Sequence, residues 1–374
     1  MATDIKDLCG VDFPLFAFSH CRDVVAAVSR AGGFGVLGGV AFTPETLDVE
    51  MKWIDEHCDG KPYGIDVLLP EKQNAPSDAT IAQIVDSIPQ EHRDFVQKLL
   101  ADAGIDWQVR SDGRGGVNSL SPLVAEELVE VAFSHPIRLV ASALGPAPKW
   151  MIERGRKEGV PVVGLVGAKE HALRQIDAVV DIIVAQGSEA GGHTGEVATL
   201  VLVPEVVRAV QQSGRDIPVL AAGGIMTGAQ MAACMAMGAA GAWTGSVWLA
   251  TPESETTDTF RQKMVAATSR DTVRSKARTG KPSRQLRSAW HDAWEGPESP
   301  GALPMPQMSI LSTPAFAAID RAAEAGNDRA KELLSYWVGQ GVGLVDKVKS
   351  AEQVVQEFMA DFAAAAERLS SFTA

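Results

Sequence analysis

Short apolar runs rich in Val, Ile and Leu alternate along the chain with segments of helical period. Eight such runs stand at 13–18, 34–38, 63–69, 137–143, 161–166, 179–185, 217–222 and 241–245. They are apolar throughout, the pattern of strands buried on both faces of a parallel sheet. Helical segments fall at 21–31, 44–57, 122–133, 148–158, 168–176, 204–213 and 227–237. Start and stop signals set their limits: Pro204 with Glu205 opens one helix, Thr227 caps another, and Gly159, Gly214 and Gly238 follow three ends. Strand–helix units repeated eightfold before residue 250 predict an α/β fold of the (β/α)8, or TIM barrel, type. A doubly wound sheet is the alternative.

Two stretches break the rhythm. Residues 70–120 form an insertion after strand 3, helix-like over about 78–103 and ending in a polar, glycine-rich tip at 111–117. Residues 251–374 are mainly helical and close with an amphipathic helix from Ser350 onward. The expected organisation is a barrel over 1–250 carrying a lid insertion at about 70–120. A C-terminal helical extension over 251–374 packs with that insertion near the barrel mouth as one side subdomain.

Composition narrows the partners. With 374 residues and 46% apolar positions the chain can bury a large core. A net charge of −13 argues against nucleic acid or an anionic membrane, while leaving room for a local basic pocket. Cys9, Cys21, Cys58 and Cys234 are scattered, so neither a metal site nor a disulfide framework is expected. No apolar stretch spans a bilayer, and the amino terminus lacks the order of a signal peptide. The expectation is a cytoplasmic protein, monomer or homodimer, acting on a small molecule.

Three strand ends carry the candidate chemistry. Gln186-Gly-Ser-Glu-Ala-Gly-Gly-His-Thr-Gly195 follows the sixth strand and holds His193 among glycines. An imidazole titrates near neutrality, so His193 is the candidate proton-transfer residue. Gly223 and Gly224 end the seventh strand, and Gly245 with Ser246 ends the eighth. Backbone without a Cβ, leading into a helix, can cradle a phosphate, and barrels place such sites after their last two strands. Ser19 and His20 end the first strand; they face a ligand, or Ser19 caps the following helix. Asp66 lies inside the apolar third strand, either as a ligand contact or in a structural ion pair. Glu189 reads as a residue that hydrogen-bonds neighbouring backbone or orients a partner. The basic cluster Arg274, Lys276, Arg278, Lys281, Arg284 and Arg287 reads either as a site for a phosphate or carboxylate or as a solvated helix face.

Together with Leu202-Val-Pro-Glu-Val-Val207, Pro218-Val-Leu-Ala-Ala-Gly-Gly-Ile225, Gly238-Ala-Ala-Gly-Ala-Trp-Thr-Gly-Ser246 and Ala26-Ala-Val-Ser-Arg-Ala-Gly-Gly-Phe-Gly35, the His193 segment resembles the nitronate monooxygenase family, also called 2-nitropropane dioxygenase-like proteins. The resemblance covers roughly 12–68 and 120–251, with a weaker echo through 278–290 and 339–345. It implies a TIM barrel that binds FMN, with the phosphate near Gly224, Gly245 and Ser246. His193 then stands over the flavin as base, or as hydrogen-bond donor to a bound anion. The implied cofactor contacts are Ala17, Phe18, Ser19, Asp66, Gln186, Gly187, Gly192, Gly223, Gly224, Thr244, Gly245 and Ser246, with His20 and His193 toward substrate. The implied reaction oxidises an alkyl nitronate, and O2 reoxidises the flavin. Phe18-Ser19-His20, Gly64-Ile-Asp66 and Gly245-Ser246-Val247 depart from the family's usual steps and alter the walls around the reacting atoms. Relatives with the same barrel use NAD(P)H to reduce quinones or enoyl thioesters, some of them acyl-CoA intermediates. That is the alternative activity, and a binding module without turnover is a third.

Overall fold

The computed structural model describes residues 4–69, 81–107, 122–143 and 145–372. The tip expected at 111–117 lies outside them. Eight parallel strands close into a barrel: β1 (Leu15–Ser19), β2 (Phe34–Gly38), β3 (Tyr63–Leu68), β4 (Val140–Ala143), β5 (Val162–Val166), β6 (Ile182–Gln186), β8 (Val219–Ala222) and β9 (Gly241–Thr244). Pairing of β1 with β9, Phe16 beside Trp243, completes the ring. Each strand coincides with an apolar run seen in the sequence.

Residue alternation sorts the strands' side chains into two layers. Phe16, Phe34, Val36, Ala141, Val163, Val184, Leu220 and Trp243 fill the interior, with Phe16 stacked 6.1 Å from Trp243 and 5.0 Å from Phe34. Leu15, Leu37, Ile65, Val140, Ile183 and Ala221 face outward and pack under the helices. The barrel is therefore filled with side chains, and room for a ligand remains only where the strands end.

The helix expected to open at Pro204 begins earlier, at Thr199 (Thr199–Gln212), with Pro204 inside it. Its cap, Ala198, supplies no side-chain hydrogen bond. The Glu189 carboxylate, from the loop after β6, accepts from Thr199 N–H (2.9 Å) and Thr199 Oγ1–H (3.0 Å) instead. Helix starts are read from local capping residues, and here the cap arrives from ten positions upstream.

A second core stands apart from the barrel. Val85, Val96, Leu100 and Trp107 from the insertion pack with Met264, Trp290, Trp294, Leu311, Phe316, Leu334 and Val342. The insertion contributes helices Ile81–Asp86 and Gln90–Asp102 to it. The expectation that 251–374 belongs wholly to this unit is corrected at its end. Helix Ala351–Ser370 buries Val354, Val355 and Phe358 against the barrel's outer layer, between helices Arg22–Arg30 and Gly228–Ala236. It fills the eighth place in the helical ring, so residues 251–350 are an excursion between the last strand and the last helix.

Beyond these helices the excursion holds strands β10 (Thr272–Ser275) and β11 (Ser283–Leu286), which form an antiparallel pair. β11 also pairs with β7 (Gly192–His193), the two-residue strand in the loop after β6.

Candidate active site

Alternation also decides which predicted residues reach the mouth. Phe18 follows Phe16 into the interior and is half-buried there. Ala17 is wholly buried on the helix side. Ser19 accepts from Cys21 N–H through its Oγ (3.1 Å), a local turn bond just before helix Arg22–Arg30, which has no side-chain cap of its own. Thr244 is spent within the wall: its hydroxyl donates to the Phe16 carbonyl (3.0 Å) and accepts from Trp248 Nε1–H (3.0 Å). The side chains of Ala17, Ser19 and Thr244 thus stand in the strand–helix layer, which leaves their backbone as the part that could reach a cofactor.

Asp66 lies between outward-facing Ile65 and Val67 and so points inward. Its carboxyl forms no ion pair with any described residue, and burial alone accounts for its shifted titration. Burial pushes its pKa up to about 7. Gln186 continues the inward series of Ile182 and Val184 and donates through Nε2 to the His193 carbonyl (2.7 Å). His20 donates through Nδ1 to the Gly38 carbonyl (3.1 Å), with its ring edge-on to Phe18 at 5.1 Å.

The glycines divide into two kinds. A Cβ at Gly187 or Gly223 would strike Thr199, and one at Gly191 would strike the backbone at Gly339. These three are small because protein packs on them. At Gly224, with φ +69°, a Cβ would meet Glu189 at 3.0 Å. At Gly192 and Gly245 a Cβ would meet nothing within 4 Å, so both border open space. Ser246 begins the 3-10 turn Ser246–Ala250, and its Oγ accepts from Gly339 N–H (2.9 Å).

His193 is held by the side unit. Its backbone pairs with Ser283 and that of Gly192 with Arg284. Its Nε2 lies 2.9 Å from Thr279 Oγ1. Burial, and secondarily the Lys281 ammonium, push its pKa down to about 4, so the ring is neutral at neutral pH. The basic cluster is not a helix face: Arg274 lies on β10, Arg284 on β11 and Arg278 is buried, while Lys276 and Arg287 are exposed. Arg284 Nε donates to the Ser188 carbonyl (3.0 Å) and Arg274 Nη2 to the Thr194 carbonyl (3.1 Å), pinning the loop on both sides of His193. Arg278 is buried between the rings of Phe316 (4.0 Å) and Trp337 (4.2 Å). Thr279 escaped the sequence reading, since nothing local marks a threonine 86 positions from the histidine it touches.

The family described as nitronate monooxygenase matches residues 6–361. The chain belongs to the nitronate monooxygenase family. It is 52% identical over 368 residues to the putative monooxygenase Rv1533 of Mycobacterium tuberculosis (strain ATCC 25618 / H37Rv), covering 97% of this chain and 96% of that protein. Among solved structures it is similar to nitroalkane oxidase from Streptomyces ansochromogenes, with 26% identity, 98% and 100% of the two chains covered and a TM-score of 0.79. It is also similar to FabK from Thermotoga maritima, with 27% identity, 100% and 99% covered and a TM-score of 0.72. As a member of this nitronate monooxygenase family the chain is a flavin-dependent oxidoreductase on a TIM barrel. The residues present fit such a cofactor. Gly192 in the loop after β6 and Gly245 after β9 border space, and the buried Asp66 carboxyl points into the barrel with no ion-pair partner among the described residues. No helix among the described residues is long and apolar enough to cross a membrane.

Proposed function

We propose that the chain oxidises alkyl nitronates with FMN as its flavin and O2 as co-substrate, and that His193 handles the proton. Bound FMN would supply the electron acceptor, which O2 returns to its oxidised form. Backbone at Gly224, Gly245 and Ser246 would hold the phosphate, while Phe18, Asp66, Gln186 and Gly192 would border the ring. The observation that carries the reading is His193 itself, a half-buried neutral imidazole fixed by four attachments: the β11 ladder, Gln186, Thr279 and the flanking arginine clamps.

A neutral ring in this place can respond to an anion. A nitronate beside it favours the imidazolium, so the anion binds together with a proton and receives a hydrogen bond from the ring. His20, across the mouth at the end of β1, adds a second imidazole toward the substrate.

The test is anaerobic mixing of the purified FMN-loaded protein with a nitronate. Loss of the oxidised-flavin absorbance with the nitronate alone supports the reading. Loss only with NAD(P)H overturns it in favour of a reductase of quinones or enoyl thioesters, and no loss with either donor points to a binding module.

A further inference from the structure

We infer that Thr279 is a positioning residue that fixes the tautomer of His193, keeping the ring proton on Nε2 and making Nδ1 the nitrogen that meets the substrate. The inference rests on the proposed role of His193 and adds which nitrogen acts and what dictates it.

The argument is one of hydrogen-bond supply. Thr279 owns a single hydroxyl proton, and its Oγ1 donates to the Lys281 carbonyl at 3.1 Å. The same oxygen accepts from Lys281 N–H at 3.3 Å. With that proton on the Lys281 carbonyl, Oγ1 meets His193 Nε2, 2.9 Å away, as an acceptor, and this is the arrangement we assign. In that arrangement Nε2 carries hydrogen, and a neutral imidazole with Nε2–H has its free lone pair on Nδ1. Nδ1 makes no hydrogen bond to any described residue. The opposite tautomer would draw the hydroxyl proton to Nε2 and take it from the Lys281 carbonyl, which loses its bond from Thr279.

The turn that presents Thr279 is rigid for its own reasons. Gly280, at φ +82°, lies against the backbone of Leu303, Pro304 and Met305. Arg278, one residue before, is clamped between aromatic rings and donates to the Ser335 carbonyl at 3.1 Å. Lys281, one residue after Gly280, brings a cation toward the ring and works against its protonation. Other charges near the loop are Arg274 and Arg284, which hold its carbonyls, Glu196, paired with Arg274, and Glu189, which caps a helix. The proton taken up with the anion arrives at Nδ1, and the Nε2–H bond to Thr279 survives unchanged in the imidazolium.

The experiment uses FMN-loaded protein labelled with 15N-histidine, with the His193 signals assigned by their loss in His193→Asn. The wild type should show a protonated Nε2 and an unprotonated Nδ1 at pH 7. Thr279→Val should give a mixed or reversed tautomer and about tenfold slower turnover with flavin content unchanged, and Thr279→Ser should restore both. A Thr279→Val protein with the wild-type tautomer and wild-type pH profile overturns the inference. If the tautomer shifts as expected but His193→Asn turns over normally, the positioning stands and the proposed role of His193 falls.

Discussion

The barrel and the side unit reach stability by opposite routes. Every barrel strand pairs with a strand or closing partner that the local pattern announces, and its interior packs in alternating layers. The side unit joins helices around residues 81–102 to segments beyond residue 249, and it carries the hairpin that grips His193. The barrel thus offers the mouth, and the inserted unit supplies the geometry of the half-buried His193 imidazole. Scaffold and site control are separate structures, which is how one barrel hosts several chemistries.

The largest expected effect removes the group on which the two regions converge. His193→Asn should cut turnover by about two to four decades while flavin stays bound. Steady-state rates with absorbance-determined flavin content check this, and normal turnover would take His193 out of the mechanism.

Next comes the side unit's own core. Trp290 is fully buried, donates to the Ala277 carbonyl at 2.9 Å and lies 4.9 Å from the Phe316 ring. Trp290→Ala should destabilise the unit by about 3–5 kcal/mol. On heating this variant, turnover should fail before flavin is released, because the barrel keeps its own core. Simultaneous loss of both would show that the two regions melt as one.

A smaller effect belongs to the barrel mouth. The Asp66 carboxyl ionises near pH 7 when folded, against an ordinary value near 4 when unfolded. Between those values the unfolded chain holds fewer protons, so stability falls as pH rises through this window. Asp66→Asn should therefore stabilise the apoprotein by about 2–4 kcal/mol at pH 8, and the gain should vanish below about pH 4. Melting curves at both pH values decide it; an unchanged difference across the range would show a carboxyl already ionised.

The sequence exposed the barrel because its signals are local: a doubly buried strand is apolar throughout, and Gly159, Gly214 and Gly238 mark helix ends by their positive φ. It also exposed His193 and the glycine loops, but not what each glycine is for. Gly187 and Gly223 yield to Thr199, while Gly192 and Gly245 border space, a distinction that only packing reveals. The true start of helix Thr199–Gln212 was hidden by a cap from Glu189. The hairpin at 272–286 was hidden by its charge, because its arginines serve loop carbonyls that lie far away in sequence. Thr279 was silent for the same reason.

The most direct measurement is a crystal structure of the FMN-loaded protein with an anion in the mouth. The account predicts the phosphate against Gly245 and Ser246, and His193 Nδ1 turned toward the anion with Nε2 still on Thr279. A phosphate elsewhere, or a His193 ring directed away from the bound anion, would contradict it.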